Sequence, residues 1–132
     1  MELMIDFPGG KRVDAHFDGF TVQSDQPKTS GGEASAPSPF QIFLASLGTC
    51  AGIYVLGFCQ QRNLPTEGIR LIQRVTNNAA TGMAECIEIE IQVPASFPAN
   101  YYDALIRSAE QCKVKKTIEN PPTFIVHTEV SP

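Results

Sequence analysis

The chain opens in alternation. Met1, Leu3, Ile5 and Phe7 fall on one face of an extended segment, Val13, Ala15 and Phe17 on one face of a second, and Phe20 and Val22 begin a third. Pro8-Gly-Gly-Lys11 and Asp18-Gly19 separate these runs with residues that accept tight-turn backbone angles. The pattern predicts a three-strand antiparallel meander. A polar loop rich in Gly, Pro and Ser follows over residues 25–37. The pattern then changes abruptly: from Ile42 to Cys59 there are eighteen residues without a charge. Ser38 stands at an N-cap, Pro39 at the first helical position, and Asn63-Leu64-Pro65 closes the run. These signals predict one helix of about 24 residues, roughly 36 Å long.

A run of this kind is long enough to span a bilayer. Three glycines, Ser46, Thr49 and two cysteines dilute it, however, and its flanks carry no aromatic or basic anchors. We read it as a helix that is apolar all round because it is buried all round, and expect no membrane partner. One chain of 132 residues has difficulty covering such a helix, which implies a central helix shared by two subunits. Beyond it, Gly68–Thr76 and Met83–Val93 read as a second hairpin, with Ile87, Ile89, Ile91 and Val93 inward and Cys86, Glu88 and Glu90 outward. Tyr102, Leu105, Ile106 and Ala109 have helical spacing within Ala99–Gln111, and Lys113–Asn120 adds a short further turn. Pro121-Pro122 ends it, and Thr123–Val130 reads as a last strand. The order β-β-β-α-β-β-α-β gives an α+β class, antiparallel sheet packed on a central helix, as a single domain over residues 1–132.

Charged residues make up 18% of the chain, below the roughly 25% usual for soluble proteins, which again implies surface covered by a partner chain. Ten Lys+Arg stand against fourteen Asp+Glu, and no basic cluster exceeds Lys113–Lys116. That balance excludes a nucleic-acid partner. The first six residues show no basic n-region, so no signal peptide is expected and the expected compartment is a reducing cytoplasm. The cysteines stand at 50, 59, 86 and 112 with no CxxC pair, and His16 and His127 are the only imidazoles. No metal centre is expected from that set. Both histidines fall in expected strands and are read as surface or satisfied strand residues.

Cys50 lies mid-helix, on a face shared with Phe43, Ser46, Leu47, Ile53, Tyr54 and Gly57. An apolar wall raises a thiol pKa, so Cys50 acts as a nucleophile only if another part of the fold supplies a positive charge. Otherwise it is a small buried hydrophobe. Cys59 points half a turn away and reads as packing; Cys86 lies on an outward strand face. Cys112 sits at a helix boundary beside Lys113, Lys115 and Lys116, as a C-cap residue or, if it reaches Cys50, as its redox partner.

The run Gly31-Gly-Glu-Ala-Ser-Ala-Pro-Ser-Pro-Phe-Gln-Ile-Phe-Leu-Ala-Ser-Leu-Gly-Thr-Cys50 resembles the central motif of the OsmC/Ohr family, and Ser108-Ala-Glu-Gln-Cys-Lys-Val-Lys-Lys-Thr-Ile118 resembles its second motif. The resemblance implies an intertwined homodimer, sheets from both chains wrapping two long central helices. It implies a thiol-dependent organic hydroperoxide reductase, with Cys50 attacking the peroxide and Cys112 resolving the sulfenic acid. An external dithiol or lipoylated protein would restore the pair, with no metal or bound organic cofactor. The family's cation would be Arg12, beside Lys11, after the glycine turn. Phe43, Leu47 and Tyr54 are expected to line the substrate site. The family's glutamate, nine or ten residues before the first cysteine, is replaced by Gln41 and Phe40, and no acid occurs between Glu33 and Glu67. That departure supports a second reading, a non-catalytic OsmC-like dimer that binds an apolar molecule or senses oxidants. A thioesterase wrapped around a long helix would need an acid on or near that helix, which the same gap withholds.

Overall fold

The computed structural model describes residues 1–131. Two compact units divide the chain, Met1–Ser46 and a second beginning at Leu47, with the boundary inside the long helix. In the first unit, β1 (Met4–Gly9), β2 (Arg12–Phe17) and β3 (Phe20–Ser24) form the expected antiparallel meander in the order β1-β2-β3. Asp18 (φ 48°) and Gly19 (φ 79°) join β2 to β3 with Phe17 opposite Phe20, a two-residue turn of the type Asp-Gly favours. Register sets Asp6 against Asp14, Met4 against His16, and His16 against Thr21.

The loop that follows folds around Asp25, which is 1% exposed. Its carboxylate accepts from the Gln26 N–H, the Ser35 N–H and the Ser35 hydroxyl. These bonds, the Ser35 hydroxyl foremost, lower its pKa from 3.8 to about 2. The long helix α1 (Pro39–Gln61) starts with a capping box: the Ser38 hydroxyl accepts from Gln41 N–H at 3.3 Å, and Gln41 Oε1 accepts from Ser38 N–H at 2.9 Å. It ends in a Schellman motif. Asn63 turns left-handed (φ 53°), its N–H reaches the Gln60 carbonyl at 3.3 Å, and the Leu64 N–H reaches the Cys59 carbonyl at 2.9 Å.

The second unit pairs β4 (Arg70–Asn77) with β5 (Ala84–Gln92) in an antiparallel hairpin, followed by a 3₁₀ turn, α2 (Tyr102–Ala109) and α3 (Lys113–Glu119). Its core joins Val55, Phe58 and Cys59 of α1 to Phe97 and Leu105, with Leu71, Ile91 and Val93 packed against it. The Ser108 hydroxyl donates to the Tyr54 carbonyl at 3.1 Å and ties α2 to α1. The class is α+β with antiparallel sheet and a long central helix, as expected from the patterning.

Two expectations change. The expected second helix is a 3₁₀ turn followed by a shorter α2, and Cys112 is the N-cap of α3 rather than the C-cap of α2. Residues 123–130 form no strand among the described residues; Phe124, Ile125 and Val126 are 82–96% exposed there. A strand forms only where a neighbouring edge pairs its backbone, and none does so among the described residues. Within this chain α1 is buried on one stripe, Leu47, Ala51, Val55, Phe58 and Cys59, while Phe40, Phe43 and Ile53 are exposed; the burial expected on its other faces was assigned to a second subunit. A stripe repeating every three or four residues is what one chain's core can cover on a helix.

Candidate active site

Cys50 and Cys112 meet in the second unit. Cys50 comes from the middle of α1 and is half-buried; Cys112 is 2% exposed. The Cys112 thiol donates to the Cys50 sulfur, which also accepts from the backbone N–H groups of Val114 and Lys113. Burial pushes the Cys50 thiol up. The Val114 N–H, the Cys112 thiol, the Lys113 N–H and the Lys113 charge together outweigh it, and the pKa falls below the ordinary thiol value. Cys112 goes the other way. Burial raises it, the Lys115 N–H at 3.4 Å opposes that, and the adjacent Cys50 sulfur raises it further. The Cys112 sulfur also lies 3.9 Å from the Leu47 carbonyl. Of the two sulfurs, Cys50 thus holds its proton less tightly and Cys112 more tightly.

The positive environment that Cys50 requires comes from the start of α3. A mid-helix cysteine has no free N–H groups of its own helix to use. Cys112 ends the link from α2 at an extended angle (ψ 118°), so the first N–H groups of α3 stand free of intrahelical partners. The sequence signals the Lys113 charge but not those N–H groups, whose aim depends on the chain direction after Cys112.

A cavity of ≈ 620 Å³ adjoins Cys112, with Leu47, Ala51, Ile89, Ile106 and Ile118 among its walls. Lys115, Glu90, Glu110 and Glu119 bring charges to it. Of the residues expected to line a substrate site, Leu47 does so; Tyr54 gives its carbonyl to Ser108 instead, and Phe43, in the first unit, stacks on Phe40 with ring centroids 5.6 Å apart. Arg12 also belongs to the first unit, where its guanidinium meets Asp14 Oδ2 at 3.4 Å. The apolar walls from α2 and α3 escaped the sequence reading because both helices had been assigned only a packing role.

The family model for OsmC-like protein matches residues 31–127, from the loop before α1 through both cysteines. The chain belongs to the OsmC-like family. No curated protein matches it. Among solved structures, this OsmC-like chain is similar to a Psychrobacter arcticus protein named for osmotic stress induction and the detoxification response, with TM-score 0.74 and 18% identity over 87% of this chain and 85% of the other. It is also similar to the organic hydroperoxide resistance protein OsmC of Legionella pneumophila (TM-score 0.57, 18% identity, 89% of each chain). A third relative is the organic hydroperoxide resistance protein OhrB of Bacillus subtilis (TM-score 0.51, 17% identity, 91% of this chain and 93% of the other). At these identities the likeness is one of fold.

The other two cysteines of the OsmC-like chain stand apart from this pair. Cys59 is 0% exposed, and burial raises its pKa against the pull of Arg62. Cys86 is exposed on β5. At the positions where the resemblance expects a glutamate, Gln41 is occupied in the capping box and Phe40 is exposed.

Proposed function

We propose that this chain is a cytoplasmic, homodimeric, thiol-dependent reductase of organic hydroperoxides, a single OsmC-like domain acting in the response to peroxide stress. The observation that carries the reading is the hydrogen bond from the Cys112 thiol to a Cys50 sulfur whose pKa is lowered by its surroundings. Names of the Legionella pneumophila and Bacillus subtilis relatives, both organic hydroperoxide resistance proteins, support the substrate class.

In this reading the Cys50 thiolate attacks the outer peroxide oxygen. The O–O bond breaks, an alkoxide leaves and takes a proton to become the alcohol, and Cys50 becomes the sulfenic acid. The Cys112 sulfur, having lost its proton, attacks the Cys50 sulfur, forms the disulfide and releases water. An external dithiol or lipoylated protein then returns both thiols by two exchange steps and is itself oxidised. The apolar cavity beside Cys112 receives the alkyl part of the peroxide, and no metal or organic cofactor takes part. Lys113 and the two N–H groups hold the thiolate; a role for Arg12 rests on the resemblance.

The test is turnover of cumene hydroperoxide with a dithiol. The parent protein consumes peroxide, Cys50→Ser abolishes turnover, and Cys112→Ser halts after one sulfenic acid per chain. Turnover that survives Cys50→Ser contradicts the reading. The absence of a carboxylate on α1 favours one alternative, a non-catalytic dimer that holds an apolar molecule or senses oxidants. A Cys50 thiol that alkylates with an ordinary pKa, together with no turnover, would establish it.

A further inference from the structure

The meander of the first unit carries a cluster that the thiol chemistry leaves unused. Register places Asp6 of β1 directly opposite Asp14 of β2. His16 lies two residues along β2, on the same face. Like charges set opposite each other on a sheet repel. Yet one donor atom from each of Asp6, Asp14 and His16 lies within 4.8 Å of the others, the one such grouping of three among the described residues.

Two further observations point to a missing ligand. Asp14 is 6% exposed, and its Oδ1 has no hydrogen-bond partner; the buried Oδ1 of Asp6 has none either. Buried carboxylate oxygens without partners are uncommon and costly. The other oxygens are engaged: Asp14 Oδ2 meets Arg12 at 3.4 Å, and Asp6 Oδ2 meets His16 Nε2 at 3.2 Å. The imidazole is already oriented, because its Nδ1 lies 3.1 Å from Thr21 Oγ1 on β3. Its Nε2 faces Asp6 Oδ2 at 3.2 Å, and a cation bound there would replace that contact and be ligated by both atoms.

We infer that Asp6, Asp14 and His16 form a binding site for a first-row divalent cation. Two carboxylates and one imidazole are a hard-to-borderline N/O set suited to zinc or manganese, with further positions open to water. The ion supplies both Oδ1 atoms with their missing partner, cancels the repulsion between β1 and β2, and pins the first strand to the meander.

The probe is zinc alone, titrated calorimetrically into the full-length chain freed of metal by a chelator. Cys50, Cys86 and Cys112 are replaced by Ser so that thiols do not compete; Cys59 is fully buried. One zinc per chain is expected to bind with micromolar affinity, weakened about tenfold or more by His16→Gln and by Asp6→Asn. Zinc is also expected to raise the unfolding temperature of this triple-serine parent and to leave that of its Asp6→Asn variant unmoved. No binding up to millimolar zinc, or binding unchanged in both variants, overturns the site. So does an Asp6→Asn protein that melts higher than a zinc-insensitive parent, because the repulsion between the strands would then stand without an ion to cancel it. Asp6 and His16 are the more exposed members, so their variants carry the test even if Asp14→Asn fails to fold.

Discussion

Cys50 and Cys112 differ in proton affinity although they share one hydrogen bond. Cys50 is lowered and Cys112 raised, so of the two Cys50 gives up its proton first as pH rises. Alkylation followed against pH is expected to show Cys50 reacting with a midpoint below that of an ordinary thiol, and Cys112 above it. Lys113→Ala removes a charge that lowers Cys50 and is expected to move its midpoint upward. Arg12→Ala decides the remaining assignment: an upward shift adds its guanidinium to the site, and an unchanged midpoint removes it. That Cys50 and Cys112 meet was expected from the resemblance of their two motifs. What activates Cys50 was not, because backbone N–H groups at 113 and 114 carry no residue signature. Asp6, Asp14 and His16 were also invisible, since strand register alone brings positions 6 and 14 face to face.

At the scale of elements, caps and turns did most of the specification, and their energies can be checked. Ser38→Ala removes one side of the capping box and is expected to cost about 1 kcal/mol of stability in a chemical-denaturation curve. Leu105→Ala opens the core between α1 and α2, at about 2–5 kcal/mol. Gly32→Ala drives a methyl into the backbone of Gln26, which cannot move aside as a side chain would, and the loop is expected to lose its native form. The Asp25 carboxylate gives a pH signature. Its pKa in the fold is about 2 against an ordinary 3.8, so its contribution is complete above pH 3.8 and is lost as pH falls toward 2. Asp25→Asn is expected to flatten that acid limb of the stability profile. The meander, α1 and the second hairpin were readable from period and turn residues. The separate turn after Cys112 was readable too; the 3₁₀ start before Tyr102 and the early end of α2 at Ala109 were not, because apolar spacing does not distinguish a 3₁₀ turn from the first turn of a helix.

For the whole molecule, the apolar surface decides the remaining architecture. Phe7, Phe20, Ile53, Phe124, Ile125 and Val126 are 58–96% exposed, more than isolated surface residues account for. The alternation at 123–130 fitted a strand, but a strand's partner cannot be read from its own residues. A second copy of the chain supplies both the cover for α1 and an edge for that segment in the homodimer proposed above. Light scattering is expected to give twice the mass of 14.4 kDa, and Phe124→Asp to shift the population toward monomer. The account as a whole stands on two thiols acting as one redox couple. Mass spectrometry of the intact protein before and after one equivalent of cumene hydroperoxide tests that most directly. The expected result is a loss of two hydrogens, mapped by proteolysis to a Cys50–Cys112 crosslink. An unchanged mass, or oxidation spread evenly over all four cysteines, would contradict it.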